Sequence, residues 1–88
     1  MVEELKYRQQ TFDDRLREEY DLWVALFGRE QANYHMKKQK PVHDAMRKLW
    51  KLKGIQTRGQ YDDWELEHKQ ERNDFLKQEG VWELWLNN

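Results

Sequence analysis

Glu65 and His68 stand three residues apart in a run of helix-forming residues, the spacing at which two side chains of one helical face can share a metal ion. A complete centre would need further carboxylates from a neighbouring helix, and Glu18 or Glu19 could be imagined in that role. Glu-x-x-His is common in any highly charged helix, so a salt-bridged edge of Glu65, His68 and Arg72 is the stronger expectation. The dipeptide His43-Asp44 is seen in metal phosphohydrolases, which need several more histidine and aspartate ligands than a chain with three histidines supplies. There is no cysteine and no serine, and the two threonines, Thr11 and Thr57, sit at cap-like positions. That leaves no thiol or hydroxyl nucleophile, and no glycine-rich phosphate loop is present. A non-enzyme without cofactor or metal is expected.

Charge is distributed more informatively. Residues 29–59 carry nine basic side chains against Glu30 and Asp44, a net +7. The 28 residues before them sum to −3 and the 29 after them to −5, so the total of −1 conceals a positive centre between two negative arms. Lys37, Lys38, Lys40, Arg47, Lys48, Lys51 and Arg58 could hold phosphates through counterion release, with Tyr34, His35 or Trp50 stacking on bases. Alternatively the arms fold back and neutralise the centre, each surface pair contributing about 0–1 kcal/mol. The sequence pI near 6.3 argues for the second arrangement, since dedicated nucleic-acid domains usually lie above about 9.

Third come the aromatics. A charged fraction of 38% suggests disorder, but five Trp, four Tyr and three Phe oppose it, because each can bury roughly 150–250 Å². Trp82 and Trp85 in the apolar tail 81–86, together with Trp23, are candidate partner-binding residues, as Trp is a residue type that dominates protein–protein hot spots.

Helices must position these groups. Leu5, Phe12, Leu16, Trp23, Leu26 and Phe27 are spaced by sums of three and four, and predict one long helix from about Glu3 to Gly28. Thr11 and Asp14 have cap spacing and offer a second start inside it. A short basic helix over 29–40 is expected to end before Pro41, because the residue preceding proline avoids the α region. Pro41 then opens a helix over 41–53 with the stripe Val42, Met46, Leu49 and Trp50, closed by Gly54 with Ile55 against Trp50. Thr57 and Gln60 start a last long helix over about 60–79, whose inner stripe is Tyr61, Trp64, His68, Phe75 and Leu76. Gly80 closes it, with Val81 against Leu76.

The expectation is a single all-α domain over residues 1–88. It is a small antiparallel bundle of three long or medium helices plus short helical segments, which a second copy of the chain could complete. No apolar run approaches the roughly 18–20 residues a membrane span needs, and no signal-like segment opens the chain, so a soluble cytoplasmic protein is expected. The expected function is an adaptor or inhibitor that binds a protein partner through its charge-segregated surface and exposed Trp. The alternative is a nucleic-acid-binding module using segment 34–58.

Overall fold

The computed structural model describes residues 2–87, with side chains over 6–87. Five helices follow in order: α1 (Val2–Gln9), α2 (Phe12–Phe27), α3 (Arg29–Lys53), α4 (Arg58–Gln78) and α5 (Trp82–Leu86). No strand occurs among the described residues, and the all-α bundle expected from the spacing is present.

The N-terminal helix is divided. Thr11 Oγ1 accepts from the Asp14 N–H at 3.2 Å and Asp14 Oδ2 accepts from the Thr11 N–H at 3.0 Å, a complete capping box that starts α2. These hydrogen bonds hold the Asp14 carboxyl below its ordinary range, the backbone bond from Thr11 contributing most. Freed by the break, α1 lies on α4. The Arg58 N–H donates to the Gln10 carbonyl at 2.8 Å, and Arg8 pairs with Asp63 at 2.8 Å. Gly59 permits this approach, because a Cβ there would stand 2.9 Å from the Arg8 side chain. Leu5, placed by its spacing on the apolar stripe, lies outside the described side chains.

One residue, Gly28, joins α2 to α3. At φ +90° it accepts the last turn of α2 and starts α3, its N–H bonding the Val24 carbonyl and its carbonyl the Ala32 N–H. The two helices then run antiparallel. Trp23 meets His35, Glu19 meets His35 and His43, Asp13 meets Arg47, and Phe12 meets Trp50.

The largest difference from expectation is at Pro41, where α3 continues unbroken for 25 residues. Proline removes one backbone donor from the ladder, yet its ring is exposed. Buried residues on both sides, Gln39 before it and Val42, His43 and Met46 after it, hold the two segments on one axis. Tertiary burial overrides the local stop signal.

Downstream the expected devices are present. Gly54 adopts a left-handed conformation, and the Ile55 N–H reaches the Trp50 carbonyl at 2.9 Å. Thr57 Oγ1 caps α4 through the Gln60 N–H, and the Val81 N–H reaches the Leu76 carbonyl at 3.1 Å past a left-handed Gly80. The core gathers Phe12, Val42, Ala45, Met46, Leu49, Trp50, Ile55, Leu76 and Val81 where α2, α3, α4 and α5 converge.

Candidate functional site

The cations of the central segment are drawn toward both acidic arms. Arg47 pairs with Asp13 and Arg58 with Glu18, each at 2.8 Å. On the other side Lys48 reaches Glu79 at 3.1 Å and Lys53 pairs with Glu71. Lys40 is taken by Asp44 one turn on, at 2.9 Å. Of the candidate phosphate-binding residues, Lys37, Lys38 and Lys51 are exposed and make no ion pair among the described residues. Four of the seven candidate cations of the positive centre thus have carboxylate partners, three of them in the acidic arms. Trp50, considered for base stacking, is 4% exposed and belongs to the core; Tyr34 is exposed.

The tryptophans named as partner contacts are largely employed within the fold. Trp82 and Trp85 are half-buried against the core, with Lys77 Nζ 5.0 Å from the Trp82 ring and the Arg72 guanidinium 5.1 Å from that of Trp85. The physical reason is that Val81 is buried, anchoring the tail on the bundle. Trp23 is also half-buried, stacked on His35 at 3.9 Å between ring centroids.

What reaches solvent instead is the end of the α2–α3 hairpin. Leu22, Leu26 and Phe27 are 56%, 63% and 57% exposed, although spacing placed Leu26 and Phe27 on the inner stripe. The stripe continues past the point where there is a core to receive it. Phe27 touches Trp23 at 4.8 Å between centroids, and Tyr34 is exposed nearby in sequence on α3.

Between that end and the core lies a polar interior absent from the sequence reading. Glu19 Oε2 accepts from His43 Nε2 at 2.8 Å and from His35 Nε2 at 3.2 Å, with both histidines buried. A carboxylate only accepts, so both Nε2 atoms carry protons. Burial alone would raise the Glu19 carboxyl, but the hydrogen bond and charge of His43, then of His35, outweigh it and hold the group below its ordinary range. Gln39 lies between the histidines, 3% exposed, its Oε1 without a hydrogen-bond partner. His35, Gln39 and His43 recur every four residues, and that polar line within an apolar helical stripe was the available signal.

Glu65 and His68 do not converge. Glu65 pairs with Arg72, as expected for the salt-bridged edge, but His68 is not part of it. His68 has φ −132° and kinks α4, and its Nδ1–H donates to the Trp64 carbonyl at 2.7 Å. That carbonyl is the acceptor its backbone N–H would use in an unbroken helix. Glu18 and Glu19 are engaged by Arg58 and the two histidines, and His43-Asp44 is split between Glu19 and Lys40. No group of three or more His, Asp or Glu side chains suited to a metal ion occurs among the described residues. Nor is any helix there long and apolar enough to cross a membrane.

Comparison of the chain with protein-family models, with curated proteins and with solved structures gives no significant match.

Proposed function

We propose that the chain is a non-enzymatic interaction module, an adaptor or inhibitor, that docks a protein partner on the end of the α2–α3 hairpin. The observation that carries this is the exposure of Leu22, Leu26 and Phe27, each more than half in water within two turns of one helix. Solitary exposed leucines such as Leu66 are ordinary on a protein surface, whereas clustered large apolar side chains mark interaction sites. Half-buried Trp23 beside Phe27 adds an aromatic of the kind that anchors interfaces. The tail tryptophans contribute less, since the fold already uses them.

The test is affinity capture from a lysate of the source cells with the full chain and with L26D/F27D. A protein retained stoichiometrically by the parent chain and released by the double variant, at unchanged circular dichroism, supports the assignment. Equal retention by both places the partner elsewhere. Concentration-dependent sedimentation that disappears in L26D/F27D would identify the partner as a second copy of the chain.

Of the seven candidate phosphate contacts, Lys37, Lys38 and Lys51 are left to the nucleic-acid reading, because Lys40, Arg47, Lys48 and Arg58 have carboxylate partners. Fluorescence anisotropy with random duplex DNA and single-stranded RNA at about 50 and 200 mM salt is expected to show weak binding at the lower salt. Tight binding there, lost at the higher salt and in the variant K37E/K38E/K51E, would replace the protein partner with a nucleic acid.

A further inference from the structure

At the opposite side of the Trp50 core, one cleft of about 230 Å³ receives a side chain from every helix. Tyr7 comes from α1, Arg15 from α2, Trp50 from α3, Arg58, Tyr61 and Arg72 from α4, and Trp85 from α5. Two of the guanidiniums are fixed. Arg58 lies 4.1 Å from the Tyr7 ring centroid and donates to Gln10 and Glu18, each at 2.8 Å. Arg72 lies over Trp85 and pairs with Glu65. Arg15 differs, making no ion pair among the described residues; its guanidinium stands 5.9 Å from the centroid of the Phe12 ring.

Two further donors on the cleft's walls are unspent. Trp50 is 4% exposed, and its Nε1–H is buried without an acceptor; the buried Tyr61 hydroxyl has the Arg72 guanidinium beside its oxygen, and its O–H likewise has no acceptor. Buried polar atoms in native proteins are nearly always paired, so two orphans on one small cleft call for an acceptor. The surroundings of Tyr61 define its charge. Burial pushes the phenol above its ordinary value; the hydrogen bond from Arg72 opposes that rise, Glu65 adds to it, and the charges of Arg72 and Arg15 oppose it further.

Size and charge select the ligand class. The volume falls below the roughly 300–1,000 Å³ of sites for drug-sized molecules, so a single ring with one substituent is the scale that fits. Arg58 is paired with Glu18 and Arg72 with Glu65, which leaves Arg15 as the one guanidinium of the lining with no ion pair among the described residues. A phosphate monoester brings about −1.5 to −2, a carboxylate brings −1, and the guanidinium fork fits a carboxylate through two parallel hydrogen bonds. We propose that this cleft binds a small aromatic monocarboxylate, its carboxylate on Arg15 and the Tyr61 hydroxyl and its ring against the aromatic walls. The assignment is independent of the hairpin end and of any partner docked there.

The test is a titration of the full chain with sodium benzoate at constant ionic strength, read by the indole N–H signals of Trp50 and Trp85 in nitrogen–proton correlation spectra. Benzoate is expected to shift both saturably, phenyl phosphate to bind more weakly, and the neutral isostere benzamide to leave both in place. R15Q should weaken benzoate by about tenfold or more, the loss of one charge-assisted contact, with unchanged circular dichroism. Should R15Q fail to fold, R15K, which keeps the charge and loses the fork, should weaken benzoate severalfold. Absence of a saturable shift, equal shifts with benzamide, tighter binding of phenyl phosphate, or full affinity in the folded Arg15 variant would each overturn the assignment.

Discussion

Downstream of Pro41, α3 buries Met46, Leu49 and Trp50 against α2, α4 and α5; upstream it buries His35 and Gln39 against α2. The downstream half is sealed mainly by apolar volume; the upstream half, Ala32 apart, buries polar groups, and Glu19 ties its His35 to His43 just past Pro41. A 25-residue helix is about 37 Å long at 1.5 Å per residue, and a chain of 88 residues lacks the apolar surface to cover all of it. The difference shows how a small, highly charged sequence extends a hairpin beyond its core. It pairs polar groups inside the extension and leaves Leu26 and Phe27 at the end in water. The same economy that stretches the fold leaves exposed the apolar end that we propose as a docking surface.

Substitution in the two halves should therefore have unequal costs. Leu49 is 1% exposed in the centre of the core, and Leu49→Ala removes buried methyl groups and leaves a cavity. A loss of about 2–5 kcal/mol is expected, read as a lowered urea midpoint at constant slope. A loss under 1 kcal/mol would mean the downstream half is no better sealed than the upstream one.

Glu19→Ala should cost about 1–3 kcal/mol near neutral pH, because two buried Nε2–H donors lose their acceptor. Its signature is pH dependence. The folded Glu19 carboxyl titrates below its ordinary range, so its contribution is fully present above the unfolded-state pKa and is lost as pH falls through the lower folded value. The gap between parent and variant in urea melts should close over that acid interval, while the Leu49→Ala gap should stay open. A Glu19→Ala gap that persists in acid would assign Glu19 a packing role and erase the contrast between the halves.

Local signals account for what the sequence made legible. The left-handed closures at Gly54 and Gly80 need residues within six positions of each other, and the caps at Thr11 and Thr57 need three. The charge segregation was equally plain, and the ion pairs from Asp13, Glu18, Glu71 and Glu79 follow it. Long-range register was not legible. Glu19 meets His35 and His43 only because Gly28 joins the helices with a single residue, and nothing local to Glu19 announces that turn. Leu26 and Phe27 keep the phase of the buried stripe, and phase carries no information about where a core ends. The kink at His68 comes with a hydrogen bond from its own imidazole to the Trp64 carbonyl, which periodicity does not encode.

Pro41 stands where the two halves meet, and its replacement is the sharpest small test of their continuity. Inside a helix proline lacks the N–H that would bond the carbonyl of residue 37, and it is about 3 kcal/mol less favourable than alanine. Part of that is returned, since proline also restricts the unfolded chain, by about 0.4–1 kcal/mol. The ring is exposed, so Pro41→Ala removes little packing. A net stabilisation of about 2 kcal/mol is expected in urea melts, with a small gain in helical circular dichroism. A proline at the first turn of a separate helix is unstrained and has no missing bond to restore, so a neutral or destabilising result would divide α3 at this residue. The upstream segment would then be a short helix held to α2 by Glu19 and His35, with Glu19 still reaching His43 across the break, and the hairpin end would move relative to the core. The sign of the stability change alone separates one helix from two.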